Sequence, residues 1–415
     1  MNDANTGRAP QPPRLPWQDL PVRPVGAGFQ MLSGFVVLDL TTSIAGPYAT
    51  MLLSDFGAEI IKVERPKGDD ARHWGPPFLD GHSLWFTAVN RNKKSVVLDL
   101  GDADGLAQLR ALLAHVDVLI CNQPLDIQRK LGIDHDTLKA VKDDLIFVSI
   151  TGFGLDGARA DLTCYDLIAE GYSGIMDVTG EADGPPQKVG APAADMLAGQ
   201  DAAMATVVAL LARERTGKGA KVDVSLAESM TRFLACRISS YLGSGEVPTR
   251  SGGTDSVIAI YQSFKTADGL LNLGLGSDAI WKRFWEAVGD PHYAARPEYA
   301  TNARRRAHRS EIVADIQAIL LTRTRAEWLD VFARARVPAG PINRVDETAH
   351  DRAFQQRGLF FTLQDGEQLV PQVGLGIRID DESATPRAAP PRLGEHTESI
   401  LSALLGHKVA QDRTS

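Results

Sequence analysis

Apolar residues in the first half of the chain fall into short continuous runs that alternate with stretches of helical spacing. Val36 to Leu40 (VVLDL) is β-branched and unbroken, and GPYATMLLSDFGA then repeats apolar side chains at helical intervals until Gly57, so the pattern predicts a strand followed by a helix. Ile60 to Val63 (IIKV) and Ser95 to Leu100 (SVVLDL) read as strands, GDADGLAQLRALLAHV as a helix and Asp117 to Ile120 (DVLI) as a strand. HDTLKAVKDD then reads as a helix and Leu145 to Ile150 (LIFVSI) as a strand. Continuous apolar strands separated by helices predict an α/β fold whose parallel sheet is covered on both faces.

The longest helical stretch is Asp195 to Arg215, with acids in its first turns and bases in its last, as the helix dipole favours. Its Ala and Gly content predicts close packing deep in the first domain. A further strand-plus-helix unit follows in VDVSLAESMTRFLACRISSYL. From about Gly243 the pattern changes to short β segments (IAIYQSFKT, LLNLGLG) and to helices around Trp281 to Val288, Arg309 to Leu321 and Arg325 to Ala335, a smaller α+β unit. After VPAGPIN, at Val337 to Asn343, LFFTL and VGLGIRI read as strands and Glu398 to Leu405 as a final helix that could return to the first domain.

A length of 415 residues makes two domains the first expectation. The division read from the pattern is an irregular Pro- and Gly-rich arm over 1–30, a large domain beginning with 31–242, a small α+β domain over 243–340 and a returning segment over 341–415. With 44% hydrophobic and 23% charged residues the composition is that of an ordinary folded protein. A formal net charge of -8 gives no general reason to bind nucleic acid, which requires many phosphate-neutralising bases. Cys121, Cys164 and Cys236 form no CxxC pair and are odd in number, which argues against a disulfide framework or a structural zinc and suits a reducing cytoplasm. Neither a signal-peptide core in the N-terminal arm nor a run of about 18 apolar residues is present, so a soluble protein without a membrane partner is expected.

GFGLDG, Gly152 to Gly157, fits G-x-G-x-x-G and follows a strand, but ARADLTCYD comes next with the look of a loop where a dinucleotide fingerprint needs a helix. The segment therefore reads as a glycine turn that lets backbone approach a ligand closely. Arg65, Lys67 and Arg72 follow a predicted strand, the side on which an open α/β sheet binds ligands, whereas Arg91, Lys93 and Lys94 precede one; surface charge is the other reading for each. There is no GxSxG elbow, HExxH, Walker sequence or Cys/His metal cluster, so no metal ligand is assigned.

In combination, LDLTTSIAGPYATMLLSDFGAEIIKVERP, NRNKKSVVLDL, ITGFGLDG, YDLIAEGYSGIMDVTGEADGPP, ARERTGKGAKVDVSLAES, VPAGPIN and RLGEHTESIL resemble the family III CoA-transferases, from about Phe35 to Gly406. The resemblance implies a Rossmann-like large domain built from both chain ends, a smaller domain between them, and two chains interlocked as a homodimer. It implies CoA transfer between carboxylic acids, with CoA and acyl-CoA as substrates and no tightly bound cofactor. In formyl-CoA transferase the catalytic aspartate precedes Gly-Pro-Pro, and the matching residue in TGEADGPP is Asp183. The CoA contacts implied are Ile44, Ala45, Arg65, Leu98, Asn122, Gln123, Lys130 and Thr151, Gly152 and Phe153, with Arg65 and Lys130 on phosphates. The chain departs from the family at Gln123 and Pro124, where an aromatic and a base are common. Gly252 and Gly253 in SGGT are the nearest match to a glycine lid, a domain linker being the alternative. The superfamily also holds α-methylacyl-CoA racemases, whose catalytic His and Asp match Tyr165 and Asp195; a phenol is a poor substitute for an imidazole near neutral pH.

Overall fold

The structure, a computed structural model, describes residues 14–403. Two compact units make up the chain: one comprises residues up to Ser173, Gly190–Phe233 and residues from Ala349, and the other comprises Gly174–Val189 and Leu234–Thr348.

The first unit is organised around six parallel strands, β1 (Val36–Leu40), β2 (Glu59–Glu64), β3 (Lys93–Val97), β4 (Val118–Cys121), β5 (Ile146–Thr151) and β6 (Ala220–Ser225). Their order in the sheet is β3-β2-β1-β4-β5-β6. That is the doubly wound order, in which the chain reverses direction between β1 and β4 and leaves a crevice at the carboxyl ends of those strands. The α/β expectation holds, and the parallel strands are buried as their apolar runs require.

Helices α1 (Ala45–Asp55), α2 (Ala103–Leu113), α3 (Leu125–Leu131), α4 (His135–Lys139), α5 (Asp166–Ser173), α6 (Ala193–Thr216) and α7 (Leu226–Phe233) belong to the same unit. α6 packs on α1 so closely that a Cβ at Gly199 would lie 2.5 Å from the Ala45 carbonyl oxygen. Ala194, Ala198, Ala202 and Ala203 bury that face. The opposite face is not deep in the domain as its composition predicts, because Met204, Val208 and Leu211 are exposed. Among the described residues α6 is the one helix with the length and apolar content of a membrane span, which here reflects the small residues of its packed face.

The C-terminal segment lies against the β3 edge: the Gly394 N–H donates to Ser95 Oγ at 2.9 Å, His396 N–H to Ser95 O at 2.9 Å, and Val97 N–H to Thr397 Oγ1 at 3.0 Å. Helical residues begin at 397 and continue to 403; the last residues of the predicted Glu398 to Leu405 helix lie outside the described residues. The VGLGIRI expectation needs correction. Only Arg378–Ile379 of it is a separate strand, while Val373 closes an earlier one, Gln368–Val373. Gly374 approaches the Gly358 carbonyl so closely that a Cβ would sit 2.4 Å from its oxygen, and Gly376 has a φ of 73°, a backbone that leaves the pleat.

In the second unit α8 (Ala235–Ser244) leads to an antiparallel sheet of β7 (Tyr261–Lys265), β8 (Leu270–Gly274) and β9 (Ala339–Pro341). Helices α9 (Asp278–Val288), α10 (Arg309–Leu320) and α11 (Arg325–Ala335) pack over it. Phe264, Trp281, Phe284, Trp285, Ile312 and Trp328 form its core, which carries most of the chain's tryptophan contacts.

Candidate functional site

The crevice at the β1/β4 reversal is held open by buried charge. Asp39 on β1 accepts from Thr41 N–H at 2.9 Å, Thr50 Oγ1 at 2.7 Å and Lys93 Nζ at 3.1 Å. Lys62 on β2 donates to Thr41 O at 2.8 Å and to Asp69 at 2.9 Å, and Asp69 in turn accepts from the Ser43 N–H at 3.0 Å. The side chains of all four charged residues are 0% exposed. The two ammonium groups hold the Asp39 carboxyl well below the usual carboxylate range. Together these bonds fix Thr41 to Ser43, the turn that leads into α1. Gly46 is required there because a Cβ would lie 2.3 Å from Thr41.

The cavity over this turn has a volume of about 280 Å³ and is lined by Thr42, Ala45, Asn122, Thr151, Gly152 and Asp195, among others. The Asn122 carboxamide accepts from Thr42 N–H at 3.1 Å and donates to Thr42 O at 2.9 Å, tying the β1 end to the β4 end. Gly152 faces Cys164 so closely that a Cβ would be 2.1 Å from the cysteine Cβ. Residues 152–165 after β5 are irregular, which agrees with a glycine turn and not with a dinucleotide-binding helix.

Four of the expected CoA contacts, Ala45, Asn122, Thr151 and Gly152, therefore meet at one cavity. The others lie elsewhere in the same unit. Ile44 is buried beside a separate apolar cavity with Tyr48, Trp85 and Met196. Arg65 is half exposed, donates to Gly68 O at 2.9 Å and pairs with Asp70, which lines the crevice. Leu98 has its side chain in the core, so any ligand contact it makes is through its backbone. Gln123 donates to Leu40 O at 2.5 Å and is engaged in holding the end of β1. Lys130 is exposed on α3, and Phe153 meets Tyr172 edge-on at 4.8 Å in a neighbouring cavity with Arg159. Arg72, readable from sequence as a phosphate-binding or surface base, and Arg91, which precedes a strand and reads as surface charge, are both committed, Arg72 to Glu64 and Arg91 to Asp55, each through two hydrogen bonds. Lys93 likewise is a core residue.

Asp166 caps α6, its Oδ1 accepting from Ala194 N–H at 2.8 Å and Asp195 N–H at 3.2 Å. Burial, reinforced by the Asp166 charge, pushes the Asp195 carboxyl up to about 7. The Cys164 thiol is pushed up to about 11 by burial and by the Asp195 charge, so it stays protonated at neutral pH and is no nucleophile. Tyr165 is exposed, with a relative accessibility of 68%.

A raised Asp195 makes a signed stability prediction. The folded chain binds this proton more tightly than the unfolded chain does, so the cost of ionising Asp195 is absent below the unfolded value near 4 and grows to its full size above about 7. Asp195→Asn is therefore expected to melt several degrees higher than the parent at pH 8, with the gap smaller at pH 5 and closed only below pH 4; differential scanning calorimetry at pH 8 and pH 5 checks it, and an equal gap at the two would contradict it.

Asp183 lies in the second unit, on an exposed turn. Gly184 N–H donates to Glu181 O at 3.0 Å and closes that turn around it. Gly180, with a φ of 119°, opens the turn in a backbone region that suits glycine. Gly252 and Gly253 belong to the same unit, and the Gly252 N–H donates to Gly180 O at 2.9 Å. Gly253 also lines a cavity of about 390 Å³ with Gln262, Asn272 and Gly340. Sequence reasoning passed over Arg250, whose guanidinium bonds Gly184 O at 3.1 Å and Asp177 at 2.8 and 2.9 Å; its place two residues before Gly252 is the only local signal.

The sequence pattern described as CoA-transferase family III matches residues 32–397. A protein of Agrobacterium fabrum named succinate–glutarate CoA-transferase is 38% identical over 382 residues, covering 90% of this chain and 95% of that one. The succinyl-CoA:glutarate CoA-transferase of Mus musculus is 35% identical over 378 residues, 90% of this chain and 86% of its own. Among solved structures, a CAIB/BAIF family protein from Brucella suis superposes with a TM-score of 0.80 at 37% identity, covering 90% of this chain and 99% of that one.

Proposed function

The chain belongs to CoA-transferase family III, and on that premise we propose that it moves coenzyme A from an acyl-CoA donor to a free carboxylic acid through covalent intermediates on Asp183. The observation that carries the assignment to Asp183 is its place at an exposed turn closed by Gly184 and held by hydrogen bonds from a second segment. That gives a carboxylate carried on an anchored backbone and open to a substrate.

The chemistry requires a carboxylate. One Asp183 oxygen attacks the thioester carbonyl, the C–S bond breaks and CoA leaves as thiolate, so a mixed anhydride remains. Thiolate then attacks the aspartyl carbonyl and releases the donor acid, which leaves an aspartyl-CoA thioester. The acceptor carboxylate attacks this thioester to form a second anhydride, and thiolate attacks its acyl carbonyl, releasing the new acyl-CoA and the free Asp183 carboxylate. A serine would form an ester too unreactive for the second step. Gly252 and Gly253 are proposed to cover the intermediate and keep water from the anhydride, a role supported by the Gly252 bond to Gly180.

For CoA itself we propose the β1/β4 crevice, with Ala45, Asn122 and the Thr151 to Phe153 turn along the ligand, and the exposed Arg65 and Lys130 for phosphates. Ile44, Leu98 and Gln123 would then shape the crevice wall. No cofactor beyond CoA as substrate is proposed. An interlocked homodimer is supported by the exposed apolar residues Met204, Val208 and Leu211 on α6. A cytoplasmic setting is supported by three unpaired thiols, Cys121, Cys164 and Cys236.

The relatives' names make small dicarboxylates the first acids to try. Incubation of the enzyme with succinyl-CoA and a carboxylic-acid library, read by mass spectrometry, is expected to yield new acyl-CoA and free succinate in equal amounts. Exchange of the α-proton of a 2-methylacyl-CoA with deuterated water in the absence of an acceptor acid, with no transfer, would instead mark the racemase chemistry.

A further inference from the structure

Residues 250–252 touch the Asp183 turn at two points, one on each side of the carboxylate. Gly252 N–H donates to Gly180 O at 2.9 Å on the N-terminal side, and Arg250 Nε–H donates to Gly184 O at 3.1 Å on the C-terminal side. Nη1 of the same guanidinium donates to Asp177 O at 2.8 Å and to its Oδ1 at 2.9 Å. The turn in turn spans Glu181 to Gly184, closed by the 3.0 Å bond between its ends, so Asp183 is third of four residues anchored before and behind.

Arg250 is suited to this by shape. Its side chain is 20% exposed, and the planar guanidinium reaches two chain segments at once, which the single nitrogen of lysine cannot reproduce. The Asp177 carboxylate is 64% exposed, so its ion pair adds little, and the backbone acceptors are what the arginine fixes. The partner contact is constrained by its backbone as well: Gly252 has a φ of 58°, a conformation that residues with a side chain rarely adopt.

We infer that Arg250 is a positioning residue for transfer, holding the Asp183 carboxylate at the distance and angle its attack requires. This rests on the assignment of Asp183 as nucleophile. The Arg250 guanidinium bonds Gly184 and Asp177 and not the Asp183 carboxylate itself, so its removal is expected to act on the rate of covalent chemistry and to leave donor binding in place. A displacement of the nucleophile by about 1 Å is enough to cost about 100-fold in rate.

The test compares parent, Arg250→Ala and Arg250→Lys by hydroxylamine trapping with succinyl-CoA, locating the aspartyl hydroxamate by peptide mass spectrometry. Arg250→Ala is expected to be labelled at Asp183 about 100-fold more slowly than the parent, with donor KM within about threefold and the melting temperature little changed. Arg250→Lys should fall between the two, and guanidinium ion added to Arg250→Ala should restore part of the rate. If Arg250→Ala does not fold, Arg250→Lys decides: slowed labelling at unchanged KM supports the inference. Labelling at the parent's rate in the folded variants overturns it while leaving the nucleophile intact. A parent labelled at a residue other than Asp183 overturns the nucleophile assignment and this inference with it.

Discussion

Asp183→Asn is expected to lower kcat by about 10⁴-fold or more, because the carboxamide offers no nucleophilic oxygen with which to form an anhydride. Donor KM should stay within a few-fold, since Asp183 lies in an exposed turn and the proposed CoA contacts are supplied by other residues. The turn should also persist, because its hydrogen bonds come from the backbone of Glu181 and Gly184 and from Gly252 and Arg250, none from the Asp183 side chain. Steady-state kinetics with succinyl-CoA, paired with circular dichroism to establish the fold, measures this. A variant retaining more than about one tenth of the parent's kcat would remove Asp183 from the mechanism.

The second large effect is on stability. Asp39→Ala leaves Lys93 and Lys62 inside the first unit, with Lys93 stripped of its ion-pair partner, and breaking a buried pair in this way costs about 3–5 kcal/mol. The same change frees Thr41 and Thr50, so the turn at the crevice loosens with the core. A fall in melting temperature on the order of 10 °C is expected, measured by calorimetry at pH 7. Asp39 has its carboxyl held below the ordinary range, so its contribution is present above the unfolded value near 4 and is lost as pH falls toward the folded value. The gap between parent and Asp39→Ala should therefore narrow on acidification below pH 4. A loss under about 1 kcal/mol at pH 7 would mean that the cluster relaxes or takes up water in a way its closed geometry does not suggest.

These two residues also mark what was legible in the chain. β1 starts and stops at the residues its apolar run predicts, and α6 differs from its expected span by two residues at the start and one at the end, because periodicity over a long segment is a local property. β3 begins at Lys93, two residues earlier than the apolar pattern allows, since its ammonium is neutralised by Asp39 on a strand 54 positions away. A single-sequence reading has no access to that partner and takes the lysine for a base ahead of a strand. The sheet order, and with it the crevice, depends on which strands are neighbours and so was legible only through the resemblance. Asp183 was found by its Gly-Pro-Pro neighbours, whereas Arg250 was missed because the bond that gives it meaning spans 66 residues.

In the proposed transfer the acceptor acid bonds covalently to Asp183. Turnover with an acceptor carboxylate labelled in both oxygens by ¹⁸O tests it directly: attack on the aspartyl-CoA thioester leaves one labelled oxygen bridging the second anhydride, and thiolate attack on the acyl carbonyl leaves that oxygen on the enzyme. The peptide containing Asp183 is predicted to gain heavy oxygen with turnover. Transfer that proceeds with the label appearing in the donor acid and never in Asp183 would show direct exchange between the two acids and contradict the account.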